Sequence, residues 1–242
     1  MKINKITRLY LLLFTLFISS CEKEEQPIDI VEEESIEKED ISSGKITASV
    51  FIEPDYKYQV FYDLETNVQI SKKLTSAWDL AFECGDDGYH TKLNSSRVMK
   101  VWSTGKTNFS EVQSTANAEW EWDDPNGSLD LTGIGEWGVK NGNDIVSNNH
   151  VFVLDLGKDS EGDSQGYKKM QILGLEDNEY RVKIADLSGE NEFTKVIQKD
   201  NDYNFVFLSI GDQGEMVSIE PPKHEWDLVF TKYTHTFYNP TI

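Results

Sequence analysis

The sequence predicts an all-β protein made of antiparallel sheets that are built from two related β-meander units. Short runs rich in β-branched and aromatic residues are separated by Gly, Asn and Asp, which is typical of strands joined by turns. Residues 180–184 alternate apolar and polar side chains, as a half-buried strand does. Residues 110–122 have the strongest helical potential, but they lack an apolar stripe that could pack against a core.

The predicted strands are short and are separated by turn-forming residues. In chain order they are residues 46–52, 56–64, 68–71, 77–84, 97–102, 150–156, 167–175, 179–186, 193–198, 203–210, 215–220 and 225–233. Residues 175–179 and 210–214 combine Gly, Asp and Asn between such runs, which predicts tight hairpins.

A five-residue unit occurs twice and supports the meander prediction. Trp-Asp-Leu-Ala-Phe at residues 78–82 returns as Trp-Asp-Leu-Val-Phe at residues 226–230. Each copy follows a hairpin-like stretch, at residues 58–70 and 203–219. In a strand, the Trp, Leu and Phe of each copy would share one face, and the Asp would point the other way. We expect that Asp to cap a turn or to accept a hydrogen bond from a backbone N–H, and the two meanders to pack face to face.

Residues 1–20 predict a lipoprotein signal peptide. Basic residues precede an apolar run at residues 9–18, and a run of about ten residues is too short for a membrane span, which needs roughly 20. The sequence Ile-Ser-Ser-Cys at residues 18–21 resembles a bacterial lipobox, which makes Cys21 the predicted site of lipidation. An ordinary signal peptide with an incidental Cys is the alternative.

Residues 21–46 predict an acidic flexible tether. Residues 22–40 contain ten acidic residues and two lysines, so their local charge of −8 opposes compaction. The acids and Lys that follow Cys21 resemble the export signal of surface lipoproteins of Bacteroidota. We therefore expect a lipid anchor in the outer membrane with the protein exposed at the cell surface. The folded domain is expected over residues 47–242.

Composition argues against nucleic acid as a partner. The chain of 242 residues has 43 acidic and 23 basic residues, a formal net charge of −20, whereas phosphate binding needs clustered Lys and Arg. Two Cys are too few for a disulfide scaffold. With Cys21 lipidated, Cys84 is expected to be a half-buried, inert thiol.

Familiar catalytic motifs are absent or stand in the wrong context. Residues 133–138 match the dinucleotide-binding glycine pattern, but the helix that would bind the phosphates is not predicted after them. Residues 159–163 carry alternating acids like a calcium loop, but Met170 stands where that loop needs Glu. The sequence contains no Gly-x-Ser-x-Gly, His-Glu-x-x-His or Cys-x-x-Cys motif. We therefore expect a protein that is not an enzyme, with a glycosidase-type carboxylate pair as the open alternative.

The repeated unit and its surroundings resemble a known family. The first copy is preceded by Tyr-Asp-Leu-Glu-Thr-Asn at residues 62–67 and followed by Asn-Ser-Ser at residues 94–96. Together with the lipobox and the acidic tail, this pattern resembles the HmuY family, the heme-binding lipoproteins of Bacteroidota, over most of residues 47–242. The resemblance implies an all-β protein that captures heme at the cell surface and passes it to an outer-membrane transporter.

The resemblance also implies that His or Met side chains bind the heme iron. Our first choice is His150 with Met170, because they lie on predicted neighbouring strands that would bring them close together. His90 and Met99 are the next candidates, and no metal other than heme iron is expected. A core position for Met170, on the same face as Ile172, is the alternative.

Two other functions stay open at this point. Trp and Tyr stack on sugar rings, so a glycan-binding surface lipoprotein is one alternative, and a structural or adhesin-like surface module is the other. The chain ends one strand beyond the second repeat, so we expect a C-terminally short family member with an unpaired sheet edge.

Overall fold

The computed structural model describes residues 46–235, so the predictions for residues 1–20, for Cys21 and for almost all of the tether lie outside this range. Within it, fourteen strands form antiparallel sheets, and the helical segments are 3-10 turns of three residues. The predicted all-β class is therefore confirmed.

The strands are numbered in chain order. Their bounds are β1 Tyr58–Asp63, β2 Val68–Leu74, β3 Leu80–Glu83, β4 Thr91–Leu93, β5 Lys100–Ser103, β6 Gly138–Asn141, β7 Asp144–Ser147, β8 Val151–Asp155, β9 Tyr167–Glu176, β10 Glu179–Asp186, β11 Phe193–Gln198, β12 Phe205–Ser209, β13 Glu215–Val217 and β14 Leu228–Phe230.

Most predicted strands are present, and β10 and β11 have the predicted bounds. The strand predicted at residues 46–52 is wrong, because these residues pair with no strand in the described part of the chain; the chain then turns at Glu53, Asp55 and Tyr56, which have positive φ angles, before β1 begins. The short strands β4, β6 and β7 were not predicted.

The strands form three sheets. The largest has the order β11-β10-β9-β7-β6, and β8 pairs with both β9 and β5. A second sheet has the order β13-β12-β3-β4, and a third has the order β14-β1-β2. The hairpins predicted at residues 175–179 and 210–214 join β9 to β10 and β12 to β13.

The four-stranded sheet lies between two hydrophobic clusters. Leu80 and Phe82 of β3 belong to the main core together with residues of the largest sheet, such as Ile184. Ala81, between them in sequence, belongs to a second cluster with Phe61 of the three-stranded sheet. Successive side chains of a strand point to opposite faces, so β3 is buried on both sides. The opposite face of the largest sheet carries a third, smaller cluster around Phe109, Val112 and Val153.

The two repeat units exchange their last strands. The strand of the first copy, β3, pairs with β12, and the strand of the second copy, β14, pairs with β1. Leu80 lies opposite Leu208, and Leu228, its equivalent in the second copy, lies opposite Tyr62. The repeat is thus confirmed, and each hairpin receives its third strand from the other copy.

The repeated Trp side chains pack alike. Trp226 makes an edge-on contact with Phe61 at 4.9 Å between ring centroids, and Trp78 contacts Phe207 in the same way at 5.1 Å. Both Trp side chains are half-buried in the second cluster. The prediction that Trp78 shares a face with Leu80 is wrong, because the strand begins only at Leu80 and Trp78 precedes it.

The repeated Asp side chains accept backbone hydrogen bonds, as predicted. The N–H of Ile210 donates to Oδ2 of Asp79 at 2.7 Å, and the N–H of Leu64 donates to Oδ2 of Asp227 at 2.8 Å. Asp79 is buried and pairs with Arg97, whereas Asp227 is exposed. Burial raises the pKa of Asp79, and the Ile210 N–H and the Arg97 charge oppose that rise.

Candidate functional site

His90 is oriented by an acidic partner. It lies just before β4, is half-buried, and places Nδ1 at 2.6 Å from Oε2 of Glu83 on β3. The His90 backbone N–H also donates to the same oxygen at 3.1 Å. An ionised carboxylate only accepts hydrogen bonds, so Nδ1 of the ring is the donor in this contact. This carboxylate–histidine arrangement is the one that metal-binding histidines commonly have.

The loop that leads to His90 is held from several sides. The Tyr180 hydroxyl donates to the carbonyl of Glu83 at 2.7 Å, and Trp137 Nε1 donates to the carbonyl of Tyr89 at 2.8 Å. Lys199 Nζ donates to the carbonyl of Gly88 at 2.8 Å. Burial raises the pKa of Tyr180 and lowers that of Lys199. These contacts give the His90 ring a defined backbone support.

Tyr89 completes the surroundings of His90. Its ring stacks on the His90 ring with the centroids 5.0 Å apart, and its hydroxyl donates to Glu136. That hydrogen bond raises the pKa of Tyr89 to about 12, so the phenol stays protonated at neutral pH.

The first predicted pair, His150 and Met170, occupies two different environments. His150 directly precedes β8 and is half-buried. Met170 lies on β9 opposite Phe152, is fully buried and belongs to the main core cluster. Met99 lies in the same core cluster. The sulfur atoms of both methionines are thus enclosed by apolar side chains, whereas His90 and His150 reach the surface.

A partly apolar groove runs along the hairpin of β12 and β13, and we call it the hairpin groove. It consists of two adjoining cavities of about 300 and 360 Å³. Both cavities are lined by Tyr203, Phe205 and Glu220, the first also by Met216 and the second also by Trp226. Pockets of this size accept small molecules, and aromatic walls favour a flat or ring-shaped ligand.

Met216 is the accessible sulfur ligand of the described chain. Among the methionines of residues 46–235, it alone is exposed, at 42% of its surface, and it pairs with Leu208 across the hairpin. A thioether is a soft ligand that suits heme iron. Met216 was not among the ligands predicted from the sequence. Its position on a short strand beside a Gly-rich turn was the only signal that it would stay outside the core.

Charged side chains lie along the same groove. Lys92 Nζ lies 5.4 Å from the centroid of the Phe205 ring, and Lys223 lines the second cavity. Buried Glu220 accepts from the backbone N–H groups of Asn204 at 2.9 Å and Phe205 at 3.1 Å. Burial raises the pKa of Glu220, and these hydrogen bonds oppose the rise. The groove therefore combines aromatic walls with two lysines.

The described part of the chain contains neither a cluster of metal ligands nor a membrane-spanning helix. In residues 46–235, no group of three or more His, Cys, Asp or Glu side chains could hold a metal ion. Over the same residues, no helix has the length and apolarity needed to cross a membrane.

Comparison with known proteins identifies the family. The family model described as HmuY protein matches residues 55–238, which is more than half of the chain. The chain belongs to the HmuY family. This match confirms the resemblance seen in the repeated Trp-Asp-Leu-x-Phe unit. The HmuY family is a family of heme-binding proteins rather than of enzymes. Neither the curated proteins nor the solved structures contain a match to this HmuY-family chain.

Proposed function

We propose that this HmuY-family protein captures heme at the cell surface and that the hairpin groove is its binding site. The family match over residues 55–238 carries the proposal. The groove supports it because Tyr203, Phe205 and Trp226 offer aromatic contact area to a flat macrocycle.

Each part of the proposed site has a role in holding heme. Met216 would hold the heme iron through its thioether sulfur. Lys92 and Lys223 pair with the propionate groups, whose negative charges would otherwise be repelled by a protein of net charge −20. The earlier candidates stay in the test: His90 and His150 as accessible imidazoles, and Met99 and Met170 as ligands that need the core to open.

A hemin titration followed at the Soret band tests the proposal. We expect the wild type to bind hemin with a shifted Soret maximum. Met216→Leu keeps the side-chain bulk but lacks the sulfur, so it is expected to lose that shift and to bind about tenfold or more weakly. His90→Ala and His150→Ala are expected to leave the spectrum unchanged.

Different failures have different meanings. An unchanged spectrum in Met216→Leu with an altered one in His90→Ala or His150→Ala would assign the iron ligand to that histidine instead. Met170→Leu and Met99→Leu test the two buried methionines in the same assay. Absence of any Soret shift in the wild type would overturn the heme proposal itself.

We further propose that acylated Cys21 anchors the protein in the outer membrane, from which it passes heme to a transporter. Several acyl chains bind a membrane durably, at about 0.8 kcal/mol per buried CH₂ group. The Cys21→Ala variant is expected in the soluble fraction after cell lysis, with the wild type in the membrane fraction. A variant that stays in the membrane fraction after signal removal would contradict the anchor.

Glycan binding is the second candidate, and the polar groups of the hairpin groove favour it. Glu83 and Asn204 line the same cavity as Trp226, and sugars are held by such polar side chains around an aromatic platform. A glycan array with wild type and Trp226→Ala separates the two functions. Array binding that depends on Trp226, without a Soret shift, would replace heme capture by glycan capture.

A further inference from the structure

A buried lysine lies on the far face of the largest sheet. Lys169 on β9 is 1% exposed and stands between Val153 of β8 and Ala185 of β10 in the strand register. Val153 and Ala185 belong to the small cluster around Phe109, which lies on the opposite face from the main core. An apolar side chain would fit this position, so a lysine there calls for a physical reason.

Two of the three N–H donors of the Lys169 ammonium group have oxygen acceptors. Its Nζ donates to the carbonyl oxygens of Phe109 at 3.1 Å and Val112 at 3.0 Å. In residues 46–235, no carboxylate oxygen lies within the 4.0 Å that would define an ion pair with it. An ammonium has three N–H donors, so the third has the Phe109 ring as its neighbour and can instead donate to the oxygen of a ligand. Burial lowers the pKa of Lys169, and the nearby Glu192 charge opposes this.

A second lysine stands at the same place. Lys183 on β10 holds its Nζ at 4.6 Å from the centroid of the Phe109 ring, and Lys169 holds its Nζ at 4.8 Å from the same centroid. Lys183 also pairs with Glu192, with Oε1 at 2.8 Å. Both lysines and Glu192 line one cavity of about 310 Å³, whose polar rim includes Ser110. The charges around the cavity sum to +1 in a protein whose net charge is −20.

We propose that this lysine cavity binds a small hydroxylated molecule that carries one carboxylate or phosphate group. The oxyanion accepts from the third N–H of Lys169 and from Lys183, and charge-assisted hydrogen bonds of this kind are the strong ones. The volume would hold about ten water molecules at ~30 Å³ each, which is more than a bare phosphate ion fills. The hydroxyl groups of the ligand meet polar side chains such as Ser110 and Ser188.

The lysine cavity is independent of heme capture. It lies on the face of the largest sheet away from the main core, whereas the hairpin groove is formed by β12 and β13 of the four-stranded sheet. Loss of hemin binding therefore leaves this proposal untouched, and the reverse also holds.

Calorimetric titration of the wild type with three sugars tests the proposal. Glucuronate carries a carboxylate, glucose 6-phosphate carries a phosphate, and glucose is the neutral control. We expect one or both acids to bind, with an affinity that falls as salt is added, and glucose not to bind. The tighter of the two acids identifies the preferred oxyanion.

Three lysine variants give the matched comparison. Lys169→Met and Lys183→Met are expected to weaken acid binding by about tenfold or more, the effect of losing one charged hydrogen bond. Lys168→Met is the control, because Lys168 is next to Lys169 on the strand but points to the other face and pairs with Asp186 at 2.6 Å.

Two results would overturn the proposal that the lysine cavity binds an acidic ligand. One is the absence of binding of either acid to the wild type, and the other is wild-type affinity in Lys183→Met. Lys183 is partly exposed, so its replacement leaves a folded protein even if Lys169→Met does not fold. Circular dichroism of each variant confirms that the compared proteins are folded.

Discussion

The two copies of the repeated Asp provide a test in which the same chemistry is placed in two environments. Asp79 and Asp227 each accept one backbone N–H, from Ile210 at 2.7 Å and from Leu64 at 2.8 Å. Asp79 is 4% exposed and also pairs with the half-buried Arg97. Asp227 is exposed, and so is Leu64, which donates to it and has 57% of its surface accessible. Replacing each Asp by Ala should therefore have very different effects on stability.

The expected magnitudes follow from what each substitution leaves behind. Asp79→Ala leaves the buried N–H of Ile210 without an acceptor, which costs about 1–3 kcal/mol. It also leaves the Arg97 charge unpaired, and breaking such a buried pair raises the total to about 3–5 kcal/mol. Asp227→Ala leaves an N–H that water can reach, so its effect is about 0.5–1.5 kcal/mol, the net value of one hydrogen bond.

Urea unfolding monitored by Trp fluorescence measures the difference. With a slope of about 2 kcal/mol per molar urea, the Asp79→Ala midpoint should fall by about 1.5–2.5 M and the Asp227→Ala midpoint by less than about 0.8 M. Equal shifts for the two variants would refute the reasoning, because they would show that burial does not separate the copies. A larger midpoint shift for Asp227→Ala than for Asp79→Ala would also refute it, because the exposed copy would then contribute more stability than the buried one.

Three further predictions concern the backbone, pH and the aromatic pair. Gly157→Ala should destabilise the protein by more than about 3 kcal/mol, because its Cβ would lie 2.0 Å from the carbonyl oxygen of Arg97. Gly142 has a similar φ but lies in open space, so Gly142→Ala should cost about 1 kcal/mol. The urea midpoints of the two variants measure the difference. Burial raises the pKa of Glu220 above its usual 4.5. The stability that this shift contributes is therefore full below pH 4.5 and is lost as pH rises through the folded-state pKa. Between pH 4 and 7 the free energy of unfolding should fall less in Glu220→Gln than in the wild type, and an equal fall would contradict this. Trp78→Ala and Trp226→Ala should each lower the free energy of unfolding by about 2–4 kcal/mol, less than at a full core site because both side chains are half-buried. The double variant should lose less than the sum of the two, since the side chains share one cluster. Additive losses in thermal unfolding would show that the two sites are independent.

Local signals in the sequence were sufficient where a strand has a long alternating pattern and a tight turn. β10 and β11 were predicted with their observed bounds, because residues 180–184 alternate and the turn residues Asp177 and Asn178 adopt the positive φ angles that a tight hairpin turn requires. The three-residue strand β4 was missed, because it owes its conformation to pairing with β3 rather than to its own composition.

Non-local pairing was beyond the sequence. The repeat itself was visible, but the exchange of β3 and β14 depends on which distant strand each one meets, and residue patterns do not encode a partner. The candidate iron ligands could not be placed reliably for the same reason, because burial depends on which strands pack together. The alternation of β9 placed Met170 with Ile172, which agrees with the core position observed, and nothing in the sequence separated Lys169, which is buried, from Lys168 beside it.

The comparison between the two copies also bears on where a ligand is held. The register makes Met216 of the second hairpin equivalent to Gln69 of the first, because each lies opposite the residue that pairs with the Leu of the repeated unit. The same register makes Val206 equivalent to Val60, so Phe205, the residue before Val206, is equivalent to Gln59, the residue before Val60.

The copies thus share the Trp and Asp that hold the exchanged strands, but they differ along the hairpin groove. The second copy has a thioether and an aromatic ring where the first has two amide side chains. Residues needed only for the fold should be similar in both copies, since both hairpins receive an exchanged strand in the same register. Phe205 packs against the second hydrophobic cluster, but Met216 is exposed and packing does not explain it, which favours the hairpin groove of the second copy as the proposed heme site.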